Sequence, residues 1–146
     1  ETRGIVALAG TFGYELDVTK IPQEDRDMIP AQVAMYHKYN DLVREGDYYR
    51  IASYSQNHRY DCWQVVSEDK KQSLVTFVQV LNRVNFKSRR VLLKGLDAEK
   101  RYKVVFENDE KIEDRIYSGD TLMKAGLLVP DLWGDFRARL ISLAAV

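Results

Sequence analysis

"QSLVTFVQVL", residues 72–81, is apolar at most positions and offers hydrophobic side chains to both faces of a pleated strand. A strand of that kind belongs in the middle of a sheet, because a half-solvated strand carries polar residues on one face. Its companions read differently. In "RYKVVFE" (101–107), Tyr102, Val104 and Phe106 share one face while Arg101, Lys103 and Glu107 lie opposite. That alternation predicts an antiparallel strand with one face in water. "DYYRIAS" (47–53), "RYDCWQVVSE" (59–68), "RRVLLKG" (89–95) and "GDFRARLISLAAV" (134–146) also predict strands. Turn signals punctuate them at "SEDKK" (67–71), "NRVNFKS" (82–88) and "GLDAEK" (95–100). "SGDTLMKAG" (118–126) predicts a short helix with Ser118 as N-cap and Gly126 as stop.

Upstream of residue 47 the pattern changes. "GIVALAG" (4–10) is apolar on alternating faces alike and predicts a strand buried on two sides, as in a parallel sheet. From 21 to 46, "IPQEDRDMIPAQVAMYHKYNDLVREG" predicts a helix. Pro22 suits its first turn, Glu24 and Asp25 suit the positive end, and Gly46 marks the stop. Ile29, Val33, Tyr36 and Val43, flanked by Met35, Tyr39 and Leu42, form its apolar stripe. Pro30, which removes a helical hydrogen bond, predicts a kink or a break.

The expected fold is therefore an α+β fragment. Residues 1–46 make one strand–helix unit, and residues 47–146 an antiparallel, sandwich-like β domain. A doubly buried strand needs parallel neighbours that one strand and one helix cannot supply. The expectation is that 1–46 is the end of a larger α/β domain, and a chain that opens on Glu1 rather than Met accords with a cut.

Composition narrows the function classes. The chain has 146 residues, 45% of them apolar, which suffices for a core and excludes a disordered tail. Lys plus Arg and Asp plus Glu are 22 each, and that balance argues against a dedicated nucleic-acid binder. Apolar runs are too short to cross a bilayer, and no signal peptide is legible. Cys62 is the sole cysteine, so no internal disulfide can form; this suits a reducing compartment, and a cytoplasmic location is expected.

Each candidate for chemistry meets a plainer reading. Glu15 and Asp17 in "GTFGYELD" (10–17) are the best local carboxylate pair for a glycosidase, which needs its carboxyl groups about 5–5.5 Å apart to retain configuration. The plainer reading is a loop carboxylate bonded to backbone amides. His37 and His58 lack metal-ligand spacing, so no metal is expected. Ser67 beside Asp69 reads as a polar turn, since no nucleophile elbow surrounds it. No dinucleotide- or phosphate-binding glycine loop is present, so no cofactor is expected. Arg83, Lys87, Arg89 and Arg90 around Phe86 read as a solvated hairpin end rather than a nucleic-acid patch. Trp63 and Trp133 could stack on sugars, although aromatic residues more often fill β cores and interfaces.

Seven blocks, in order, carry a resemblance: "GTFGYELDVTKI" (10–21), "EGDYYRI" (45–51), "WQVVSEDKKQSLV" (63–75), "FVQVLNR" (77–83), "LLKGLDAEKRYKV" (92–104), "YSGDTLMKAGL" (117–127) and "GDFRARLISL" (134–143). Together they resemble the C-terminal end of bacterial α-galactosidases of glycoside hydrolase family 36. The resemblance implies that residues 4–10 are the last strand of a (β/α)8 barrel, 22–45 its last helix, and 47–146 a C-terminal β domain. It also implies a retaining hydrolase acting on α-galactoside oligosaccharides, oligomeric, with no nucleic-acid or membrane partner. The family's catalytic aspartates lie in barrel motifs absent from this sequence, so no catalytic, substrate-binding or metal residue carries over, and the chain alone is expected to be inactive. A carbohydrate-binding module, or a parent acting on α-N-acetylgalactosaminides, is the alternative.

Overall fold

The computed structural model describes residues 1–85 and 88–146. Two helices come first, α1 (Thr2–Ala7) and α2 (Gln23–Glu45), followed by β1 (Asp47–Ala52), the single turn α3 (Tyr54–Asn57), β2 (Tyr60–Val66) and β3 (Gln72–Gln79). The second half holds β4 (Arg89–Val91), β5 (Arg101–Phe106), β6 (Arg115–Ser118), α4 (Gly119–Lys124), β7 (Leu127–Val129) and β8 (Arg137–Ala145).

Six strands form one antiparallel sheet in the order β1-β2-β3-β8-β5-β6, and β4 pairs with β7 in a separate ribbon. The doubly apolar strand takes the central place its sequence demands. Val75 and Phe77 of β3 face one core, Leu74 and Val78 the other. β8 does the same, with Ile141 and Leu143 on one side and Ala138 and Leu140 on the other. β5 alternates as predicted: Tyr102, Val104 and Phe106 are buried while Arg101 and Lys103 are exposed.

The two faces are covered differently. The β4–β7 ribbon, α4 and the loops around Leu93, Leu96 and Leu132 roof the face that carries Phe77 and Tyr102. α1 and α2 lie across the other, where Ile5, Leu8, Tyr39 and Leu42 meet Val65, Leu74 and Leu140. The β region is thus sandwich-like only in part: its second layer is a two-stranded ribbon with a helix, not a full sheet. β6 and β7 were not among the predicted strands. Each is four residues or fewer and is held by pairing to a distant segment, Arg101 to Ser118 and Arg89 to Val129.

Residues 4–10 do not form the predicted strand. Thr2–Ala7 is helical, and Leu8, Ala9 and Gly10 continue in turns that bond back three residues. A run that is apolar at consecutive positions satisfies the strand period and the helix period alike, so periodicity alone does not separate them. Burial does: Ile5 and Leu8, three apart on one helical face, are buried, and Val6 between them is exposed. Among the described residues no parallel strand lies beside the run to accept its backbone hydrogen bonds. A helix of six residues does not persist by itself; packing on β3 and β8 holds this one. At Gly4 an added Cβ would come within 2.9 Å of the Gln32 side chain, so α1 lies close against α2 there.

Of the kink or break expected at Pro30, the break does not occur: α2 runs from Gln23 to Glu45 as one helix. Pro30 is exposed, and the buried stripe continuing through Tyr39 and Leu42 keeps the helix on the sheet beyond the missing N–H. α4 begins as predicted, with Ser118 Oγ accepting a hydrogen bond from Thr121 N–H at 3.1 Å.

Candidate functional site

The carboxylates of "GTFGYELD" do not converge on a cavity. Asp17 Oδ1 accepts hydrogen bonds from Thr19 N–H at 3.0 Å and Thr19 Oγ1 at 2.6 Å, and Lys20 Nζ lies 3.3 Å from Oδ2. Those donors, the Thr19 hydroxyl first, hold its carboxyl below the usual carboxylate range. Glu15 is exposed. The loop is pinned to α2 by its aromatic residues. Phe12 stacks on Tyr36 with centroids 5.5 Å apart, and Tyr14 Oη donates to Gln32 Oε1 at 2.5 Å. The arrangement is that of a structural corner.

The remaining predicted positions are dispersed. His37 lies exposed on α2, its ring 5.7 Å from Tyr36. His58 closes α3 in the left-handed conformation, with φ of 54°. Among the described residues no group of three His, Cys, Asp or Glu could hold a metal ion. Ser67 Oγ donates to Asp69 Oδ1 at 2.8 Å and accepts from Gln72 N–H at 2.9 Å, closing the β2–β3 hairpin as the polar turn expected. Asp69, held low by the Lys71 N–H and the Ser67 hydroxyl, belongs to that turn. Cys62 is fully buried, and desolvation, with Asp61 adding to it, pushes its thiol up to about 12. Arg90 donates to Gly126 O at 3.3 Å, and Arg83 is exposed in the loop after β3. Phe86 and Lys87 of the same predicted cluster lie outside the described residues.

The two tryptophans have separate fates. Trp63 is partly buried under the helices and lines a hollow of about 40 Å³ with Leu8, Val43 and Leu74. Trp133 is 85% exposed, between β7 and β8. It borders a hollow of about 480 Å³ with Asn82, Arg83, Asn85 and Asp131.

A dense polar constellation lies where α2 crosses the end of β5. Glu107, with its side chain only 10% exposed, accepts from Tyr39 Oη at 2.5 Å and Ser142 Oγ at 2.6 Å, and its two oxygens lie 3.0 and 2.9 Å from Lys38 Nζ. Burial by itself would raise the Glu107 pKa, but the Ser142, Tyr39 and Lys38 donors outweigh it and hold the carboxyl below its usual value. Burial and the carboxylate beside it raise the Tyr39 phenol. Burial opposes the charge on Lys38, and its bond to Glu107 more than offsets that, so its pKa is raised. This is one carboxylate with three donors, and among the described residues no second carboxylate joins the cluster, so the geometry serves as a clamp between helix and sheet. Sequence reading missed it because its members stand 35 or more residues from Glu107.

Two buried glutamines tie the layers together. Gln64 Nε2 donates to Ser73 Oγ at 3.0 Å, while Gln64 Oε1 accepts from Lys94 N–H at 2.8 Å, so β2 reaches the chain leaving β4. Gln79 Nε2 donates to Leu132 O at 2.8 Å and Gly134 O at 2.7 Å, on either side of Trp133.

Comparison with known proteins places these features. The model for the glycosyl hydrolase family 36 C-terminal domain matches residues 60–143, and the model for melibiase matches residues 1–46. The chain is 37% identical over all 146 residues to α-galactosidase AgaA of Geobacillus stearothermophilus, and 36% identical over 145 residues to α-galactosidase Mel36A of Lactobacillus acidophilus. In both cases it spans 19% of the relative's length. The solved structure of α-galactosidase AgaB of Geobacillus stearothermophilus superposes with a TM-score of 0.87 at 38% identity, covering 99% of this chain and 19% of that one. A variant of AgaA matches equally well in complex with raffinose, and another in complex with stachyose. The chain belongs to glycosyl hydrolase family 36, as an antiparallel C-terminal domain of that family.

Proposed function

We propose that the protein carrying this chain is a retaining α-galactosidase that removes terminal α-galactosyl groups from oligosaccharides of the raffinose type. One observation carries the reading: similarity to α-galactosidases runs unbroken from α1 to β8, with 99% of the chain superposing at a TM-score of 0.87. On this reading residues 1–46 are the end of the catalytic barrel, with α2 as its last helix, and residues 47–146 are the C-terminal β domain. A division after the helices is supported by the two family models, since the melibiase model ends at Gly46 and the C-terminal-domain model begins at Tyr60. The complexes of related enzymes with raffinose and stachyose support the substrate class.

The chain's own share is structural. Its catalytic aspartates are supplied from elsewhere in the protein, and no residue of 1–146 touches the reacting bond. Glu15 and Asp17 shape the corner after α1, and the Glu107 clamp fixes α2 to the sheet. The intact protein is a homo-oligomer without metal or cofactor.

Hydrolysis of a chromogenic α-galactoside by the whole protein and by residues 1–146 alone tests this. Turnover is expected only from the whole protein; turnover by the 146-residue chain, free of contaminating enzyme, would overturn it. An α-N-acetylgalactosaminide assayed beside the galactoside decides which sugar the parent takes.

A further inference from the structure

We propose that Trp133 is the platform of a saccharide-binding site on the C-terminal domain, taking an oligosaccharide across two adjoining hollows. This goes beyond the hydrolase reading, on which only the whole-protein arm of the test below rests.

The indole is exposed, and its backbone is braced on both sides. Leu132, immediately before it, is buried in the core beneath the ribbon. The Gln79 side-chain amide, itself fully buried, donates to the carbonyls of Leu132 and Gly134 and so brackets the tryptophan. The facing loop is tied on as well: Asn82 N–H donates to Asp135 Oδ1 at 2.7 Å and Phe136 N–H to Val80 O at 3.2 Å. An exposed aromatic ring on a braced backbone gives up little conformational entropy when a ligand covers it.

Polar groups flank the ring on both sides. The first hollow, about 480 Å³, offers Asn82, Arg83, Asn85 and Asp131. The second, about 360 Å³, shares Asp131 and Trp133 with the first and adds Lys111, Arg137 and Arg139. Arg139 uses one guanidinium nitrogen on Asp109 at 2.8 Å, while its buried Nε has no acceptor. A pyranose presents an apolar C–H face and a rim of hydroxyls. Indole takes the first, and amide, carboxylate and guanidinium groups take the second. Trp133 as a ridge between two polar hollows suits a chain of at least two sugar rings rather than a monosaccharide. Trp63, partly buried beneath the helices, has no such access.

Raffinose is the probe, titrated into the chain and followed by tryptophan fluorescence and calorimetry. Where residues 1–146 alone do not stay folded, the whole protein is used, with its galactoside pocket filled by 1-deoxygalactonojirimycin, the ligand seen in a related enzyme. Saturable binding with Kd on the order of 1 mM is expected. Trp133→Ala should weaken it at least about tenfold with an unchanged melting temperature, Asp131→Asn about threefold, and Trp63→Phe should leave it intact. Absence of saturation up to about 100 mM would overturn the proposal. So would equal binding by Trp133→Ala. Loss of self-association in that variant, with no response to sugar, would make the patch of Val84, Trp133 and Phe136 a protein contact instead and overturn it too.

Discussion

Tyr39 of α2 donates its hydroxyl hydrogen to Glu107 Oε1 at 2.5 Å, joining the long helix to the residue that follows β5. Ser142 of β8 and Lys38 complete the shell, so both oxygens of a carboxylate almost closed off from water accept hydrogen bonds. A hydrogen bond to a charged group is worth about 1.5–3 kcal/mol when its partner is removed.

Glu107→Gln should therefore lower stability by about 1–3 kcal/mol at neutral pH. The pH dependence has a definite sign. The folded pKa is held below the usual value, so the native state binds its proton more weakly than the unfolded chain does. That contribution is fully present above the unfolded value of about 4.3 and is lost as pH falls through the lower folded value. Thermal melts of wild type and Glu107→Gln should differ most near pH 7 and converge as pH falls through the lowered folded value. A gap independent of pH would contradict this.

Cys62 should be inert in the native state. Its thiol is fully buried and its pKa is pushed up to about 12, so almost no thiolate exists at neutral pH. A thiol reagent such as Ellman's should label it only as fast as the protein unfolds, with a rate that rises with denaturant. Rapid labelling in buffer would show that the sheet opens at β2.

Gly119 occupies a site closed to any side chain. A Cβ there would lie 2.0 Å from Asp97 O and 3.2 Å from the Tyr102 ring, and a backbone carbonyl cannot rotate out of the way as a flexible side chain does. Gly119→Ala should cost about 1–3 kcal/mol by overpacking, a fall of several degrees in Tm. An unchanged Tm would refute the close approach of α4 to the 95–100 turn.

Asn57 makes four hydrogen bonds from one amide. Its Oδ1 accepts from Arg59 N–H at 2.7 Å and Tyr60 N–H at 2.9 Å, and its Nδ2 donates to Ser53 O at 2.9 Å and Tyr60 O at 2.8 Å. Asn57→Ala should cost about 1–3 kcal/mol, because two backbone donors lose their acceptor. Asn57→Asp keeps the acceptor and loses the donor, so chemical denaturation should place it between the two.

The parts legible in the sequence were those decided within a few residues. Alternation in 101–107 and its absence in 72–81 placed β5 and β3. Ser118 announced a helix start, and Ser67 with Asp69 announced a hairpin. What escaped was decided by distant partners. β7 exists because Leu127–Val129 finds Arg89–Val91, and no local pattern in "LLV" says so. α1 escaped for a subtler reason, since an unbroken apolar run carries no period by which helix and strand can be told apart. At the candidate sites, local reading placed Asp17 and Ser67 in polar turns, as their bonding partners lie within five residues. It had no means of finding the Glu107 clamp or the Gln79 bracket, whose partners are 35 to 69 residues away.

The helices laid over the sheet alter what the boundary at Gly46 means. The melibiase model ends at Gly46 and the model of the C-terminal domain begins at Tyr60, which draws a border through the chain. Folding does not respect that border. Severing the chain at residue 46 would bare Val65, Leu74, Val78 and Leu140, which now rest against Ile5, Leu8, Tyr39 and Leu42, and would strip Glu107 of Lys38 and Tyr39. A C-terminal domain transplanted from residue 47 onward would arrive with an adhesive face and an unneutralised acid at its rim. The last helix of the upstream segment must travel with it.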